Sequence, residues 1–138
     1  MRLVSNRHPE LSLIVLCVDN EPKVLDGMET LLTGWGCRVS KAADQTGAIA
    51  ALDAAESPPL GALVDYHLDR GNGLDVIAAL RARCGADLPA ILITADRDAQ
   101  VREQARAANV AVLHKPLKPA ALRALIGQWR MQDVAAAE

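Results

Sequence analysis

Short apolar runs alternate with helix-length amphipathic stretches five times along this chain, and no other feature limits its fold as strongly. The runs are Leu13 to Val18, Cys37 to Val39, Leu60 to Val64, Ala90 to Ile93 and Val110 to Leu113. Each is continuous rather than alternating, the pattern of strands covered on both faces, as in a parallel sheet. After the first run, Val24, Leu25, Met28, Leu31, Leu32 and Trp35 recur at helical spacing. They predict a helix from about Pro22 to Thr33, with Pro22 suited to its first turn and Gly34 or Gly36 to its stop. Ile49, Leu52 and Ala55 mark a second helix; Leu74, Ile77, Ala78 and Leu80 a third; Val101, Ala105 and Ala108 a short, weakly apolar fourth. The fifth starts near Pro119 and carries Leu122, Leu125, Ile126 and Trp129 along one side. Strand and helix alternation of this kind makes right-handed crossovers, so the expected fold is α/β: a doubly wound, five-stranded parallel sheet with helices on both faces.

A length of 138 residues suits one domain with a single core and leaves no room for a second catalytic or DNA-binding domain. Residues 11–132 are expected to form it, between polar ends at 1–10 and 133–138. With aromatics at 2% and no Phe, the core must come from Leu, Ile, Val and Ala, which calls for close-packed, Ala-faced helices. Trp35 and Trp129 are expected on the apolar faces of their helices rather than as a binding platform. The net charge of -2 provides no basic field for nucleic acid or an anionic membrane. No apolar run reaches the length of a membrane span, and residues 1–10 lack the features of a secretory signal, so a cytoplasmic location is expected. Cys17, Cys37 and Cys84 form no C-x-x-C pair and are odd in number, which argues against a disulfide framework or a zinc site.

In an open parallel sheet the ligand site lies beyond the carboxyl ends of the strands. Those ends are polar here. The first strand leaves as Asp19-Asn20-Glu21, the third as Asp65, the fourth as Thr94 and the fifth as His114-Lys115-Pro116. Carboxylates, an amide, a hydroxyl and an ammonium converging on one edge suit a hard cation beside an anionic oxygen cluster, which points to phosphoryl chemistry. The hard-oxygen set selects magnesium over a transition metal, despite His67 and His114 nearby. Gly71-Asn72-Gly73 reads as a turn, because no phosphate-cradling G-x-x-x-x-G-K-[ST] sequence occurs.

The segments LCVDNEP at 16 to 22, ALVDYHL at 62 to 68, GLDVI at 73 to 77, LITA at 92 to 95 and HKP at 114 to 116 occur in this order, each tied to a strand end. Together they resemble the receiver domains of two-component response regulators, most closely those of hybrid histidine kinases, over about residues 12 to 130. The resemblance implies a flavodoxin-like fold and a phosphoacceptor module that takes a phosphoryl group from a histidine kinase or a histidine phosphotransfer domain. It implies Asp65 as phosphoacceptor, Asp19 and Asn20 as the acidic-pair positions near magnesium, and a His67 backbone carbonyl pointing to the ion. Thr94 would be the phosphate-sensing hydroxyl and Lys115 the phosphate-pairing amine, followed by a cis bond to Pro116.

Three positions depart from the family pattern. Asn20 replaces the second acid, so weaker magnesium binding is expected; the residue reads equally as a helix cap. Val112 stands where an aromatic residue often precedes the lysine, and Asp69 where many receivers place Pro. Asn20 and Val112 motivate a competing reading, a receiver-shaped adaptor that does not turn over phosphate. A small aspartyl-phosphate phosphatase ranks below both, because Asp19-Asn20-Glu21-Pro22-Lys23 does not follow the D-x-D-x-T pattern.

Overall fold

The computed structural model describes the backbone of residues 13–137 and the side chains of residues 13–132; the expected tail at 1–10 lies outside the described residues. Five strands and five helices alternate strictly. The strands are β1 (Ile14–Val18), β2 (Arg38–Ala42), β3 (Gly61–Asp65), β4 (Ala90–Thr94) and β5 (Ala111–His114). The helices are α1 (Pro22–Thr33), α2 (Gln45–Ala54), α3 (Gly73–Cys84), α4 (Ala99–Ala107) and α5 (Pro119–Ala137). All strand pairings are parallel, in the order β2-β1-β3-β4-β5.

This is the expected doubly wound sheet, and its two faces carry separate apolar layers. Val15, Cys17, Leu63, Ile91 and Ile93 meet Leu25, Met28 and Leu32 of α1 and Leu122, Ile126 and Trp129 of α5. On the opposite face Leu16, Val18, Val64 and Leu92 meet Ala48 of α2, Val76, Ile77 and Leu80 of α3, and Val101 and Ala105 of α4. Ala48 and Ala105 are fully buried, so two of these helices do press small residues against the sheet. Close approach also explains Gly61. A Cβ there would come within 2.4 Å of the Trp129 ring, so the first position of β3 must be bare for the indole to lie over it.

Several expectations need correction. The second strand runs to Ala42, past the Cys37–Val39 run, and exposes Arg38 and Lys41; as a sheet edge it is held by its ladder to β1 rather than by continuous apolar cover. The other edge, β5, is half-buried throughout. Ala55 is the extended residue after α2, Ala78 and Ala108 are exposed, and Val76 takes the core position on α3. Trp35 lies beyond the end of α1, half-buried in the turn to β2, where the Arg123 guanidinium sits 5.7 Å from its ring centroid. Helix α5 continues to Ala137, through a segment expected as a tail.

Candidate functional site

The ladders decide which side chains meet. Val18 of β1 pairs with Val64 of β3, so the next residues, Asp19 and Asp65, leave adjacent strands side by side. Asp65 pairs with Ile93, which sets Thr94 next to it, and Thr94 pairs with His114, which delivers Lys115. Three of these polar residues are buried, Asp19 at 0%, Asp65 at 2% and Thr94 at 0% exposure, and they are the only buried polar or charged side chains among the described residues. The pairing that covers the apolar core thus collects the chemistry at one edge.

Asp65 Oδ1 lies 3.3 Å from Lys115 Nζ, near enough to pair charges but not aligned for a hydrogen bond. Asp65 Oδ1 and Asp19 Oδ2 are both buried with no hydrogen-bond donor. Two orphaned carboxylate oxygens at the ends of adjacent strands are costly unless a cation supplies what the protein withholds. The other oxygen of Asp19 accepts from the Glu21 N–H at 2.9 Å, tying the carboxylate to the start of α1. Glu21 itself occupies the N-cap position without a side-chain bond, so Asn20 does not cap that helix. Asn20 Nδ2 instead donates to Asp69 Oδ1 at 2.7 Å, across 49 residues of sequence.

On the far side of the site, Thr94 Oγ1 accepts from Asp96 N–H, Asp96 Oδ1 from Asp98 N–H and Asp98 Oδ1 from Gln100 N–H, at 2.9, 2.8 and 2.9 Å. The hydroxyl proton of Thr94 is left to donate, and the ladder it heads runs into the first turn of α4. Lys115 N–H donates to Thr94 O at 2.9 Å, and the Lys115–Pro116 bond is cis, as the resemblance implied. The His67 side chain is exposed and stacks edge-on against Tyr66, with ring centroids 4.9 Å apart. Asn72 caps α3 by accepting from Asp75 N–H, so Gly71 to Gly73 is a turn into a helix. The interaction that sequence reasoning missed is the one between Asn20 and Asp69; its signal was the coincidence of two unusual residues at one strand-end cluster.

Burial is the main influence on Asp19 and raises its pKa; the Asp65 charge adds to this, while the Glu21 N–H and Lys115 oppose it. A native value above the ordinary carboxyl value of 3.8 means that the folded protein holds this proton more tightly than the unfolded chain does. The stability it contributes is complete below 3.8 and is lost as the pH rises through the raised value. Asp19→Asn should therefore stabilise the metal-free protein at neutral pH, by about 1–3 kcal/mol, the cost of an uncompensated buried polar group. Thermal melts in chelator should show the gain at pH 7 and its shrinkage on acidification; an equal gain at all pH values would contradict this origin. Burial pushes the Cys17 thiol up to about 12 and raises that of Cys84.

A switch-point site with a buried acid pair, a hydroxyl and an ammonium on a five-stranded flavodoxin-like sheet defines a receiver-type fold. The chain matches the response regulator receiver domain over residues 15–127 and belongs to that family. It is 36% identical over 92 residues to the transcriptional regulatory protein KdpE of Mycobacterium tuberculosis, a match covering 67% of this chain and 39% of that protein. The chain thus spans well under half the length of the curated relatives it matches. Among solved structures, a response regulator receiver domain protein from Clostridium thermocellum superposes with a TM-score of 0.81 at 18% identity, covering 89% of this chain and 98% of that one. The chemotaxis protein CheY4 of Vibrio cholerae does so with a TM-score of 0.74 at 21% identity, covering 83% and 96%. At such identities these likenesses concern the fold. Among the described residues no helix is long and apolar enough to cross a membrane.

Proposed function

We propose that this receiver domain is a phosphoacceptor in a two-component phosphorelay, with Asp65 as the residue modified. The observation that carries the reading is the buried Asp65 carboxylate at the end of the central strand, with Oδ1 free of donors and Lys115 Nζ 3.3 Å away. A carboxylate oxygen of Asp65 attacks the phosphorus of a phosphohistidine, the P–N bond breaks, and the imidazole leaves as it takes a proton from solvent. Such transfer needs positioning and charge neutralisation more than acid or base catalysis. Lys115 pairs with one equatorial oxygen, and the free hydroxyl proton of Thr94 is donated to another. Drawing Thr94 inward loosens its bond to Asp96, and the change passes along the ladder to α4, which buries only Val101 and Ala105.

The orphaned oxygens of Asp19 and Asp65 fit a hard cation. The donors at hand are two carboxylates, an amide oxygen and a backbone carbonyl, all of them hard oxygens. That suits magnesium better than calcium or zinc. Asp19, Asp65, the Asn20 amide oxygen and the His67 carbonyl would hold it, and it would supply positive charge to the transferring oxygens. The donor in this reading is a cytoplasmic histidine kinase or histidine phosphotransfer domain. The Asn20-Glu21-Pro22 and Asp65-Tyr66-His67-Leu68 segments favour a receiver joined to such a kinase in a longer chain.

Incubation with acetyl phosphate and magnesium tests the reading. A single phosphoryl mass increase that hydroxylamine removes and chelator prevents is expected. No increase at any magnesium concentration would favour the adaptor reading, which Asn20 in an acid position supports.

A further inference from the structure

Asn20 and Asp69 meet each other in the fold. Asn20 follows β1 and is half-buried; Asp69 is exposed in the loop after β3, four residues beyond Asp65. Their 2.7 Å bond joins segments 49 residues apart, so it is a product of the tertiary fold rather than of a local turn. A neutral amide beside two carboxylates has one useful edge and one harmful edge toward a cation. Its oxygen can ligate, whereas its NH2 repels, and an unrestrained amide offers either. Because the group is planar, an acceptor that holds the NH2 fixes the oxygen on the opposite side. Asp69 is such an acceptor, and an ionised one forms a stronger bond than a neutral one.

We propose that Asp69 is a positioning residue for the cation site: its carboxylate holds the Asn20 NH2, presents the Asn20 oxygen as a ligand, and restores to the mouth of the site the negative charge that Asn20 lacks. The proposal rests on the phosphoacceptor reading for the identity of the cation. It also accounts for two departures from the family pattern with one contact, since a Pro at position 69 provides no acceptor and an Asp at position 20 needs none. A merely structural tie between two loops predicts something different. Loss of a loop tether lowers the stability of the metal-free protein, whereas loss of orientation lowers the affinity for the cation alone, and only where position 20 carries a side chain with two unlike edges. A carboxylate has no wrong edge.

A double-mutant cycle separates the two. Magnesium is titrated calorimetrically into the wild type, D69A, N20D and N20D/D69A, and metal-free thermal melts are recorded for each, with amide spectra confirming that each variant is folded. D69A should weaken binding about tenfold in the wild-type background, the usual scale for an outer-shell partner of a metal ligand, with little change in the metal-free melting temperature. On the N20D background the same change should cost no more than about twofold, the residue of a solvent-screened charge. N20D alone should tighten binding. Equal losses in both backgrounds, no loss in either, or a loss that comes with an equivalent drop in metal-free stability overturns the proposal. If those results come with normal labelling of the wild type at Asp65, the phosphoacceptor reading stands and only the role of Asp69 falls. A wild type that binds no magnesium removes both.

Discussion

Asp65→Asn should reduce labelling by acetyl phosphate to background while the protein stays folded. The nearest competitor for the phosphoryl group is Asp19, which is also buried and also has one oxygen without a donor. Its other oxygen is held by the Glu21 N–H, however, and the Lys115 ammonium pairs with Asp65 at 3.3 Å. Charge neutralisation is therefore closer at Asp65 than at its neighbour, which Lys115 influences without pairing, and transfer follows the charge. The amide has the shape of the carboxylate, so packing around the end of β3 is preserved. Lys115 is partly exposed, with 36% of its side chain accessible, and water compensates for its lost partner. Peptide mapping of the labelled wild type and the mass of the treated variant check the expectation. A variant labelled to the wild-type level, with the modification now on Asp19, would transfer the nucleophile's role to the other strand.

The central strands were legible because burial on both faces leaves a continuous apolar run: β1, β3 and β4 lie within a residue of the runs that announce them, as does the half-buried edge β5. The second strand was legible only at its start. Ser40 and Lys41 carry no apolar signal, and their strand conformation comes from pairing with Leu16 and Cys17. The Lys41 ammonium is held above the helix by Asp26 and Glu29, contacts between α1 and β2 that no periodicity encodes. Site residues at strand ends could be read from topology alone, because parallel in-register ladders align whatever follows each strand. Thr94, Asp65 and Asp19 come together in this way. Asn20 could not be settled by the same reasoning, since a cap and a ligand look alike in sequence. Its partner comes from a loop whose path depends on the turn at Gly71, where φ is +71°. The displaced Trp35 has a similar cause: its helical spacing continues the stripe of α1, but Gly34 ends the helix first.

Gly73→Ala should have the largest effect on stability, because the position is closed by backbone. A Cβ at Gly73 would lie 2.5 Å from Asp65 O and 2.8 Å from Leu92 Cδ1. Leucine can turn away, but the carbonyl belongs to the last residue of the central strand, and Gly73 N–H donates to Tyr66 O at 2.9 Å just beside it. Relief of the clash requires α3 to withdraw from the sheet, loosening Val76, Ile77 and Leu80 from one apolar layer. Forced insertion of a methyl into such packing costs about 1–3 kcal/mol, and a backbone obstruction belongs at the upper end. For a domain of this size that corresponds to a fall in melting temperature of roughly 10 °C. Gly27→Ala is the matching control, because a Cβ there meets nothing within 4 Å and the position is helical. It should gain about 0.5–1 kcal/mol from reduced freedom of the unfolded chain. Urea denaturation of the two variants should move in opposite directions. A loss at Gly73 below about 1 kcal/mol would mean that α3 accommodates the methyl by sliding along the sheet. In that case the β3–α3 loop that carries Asp69 would shift with it, and weaker magnesium binding would accompany near-normal stability.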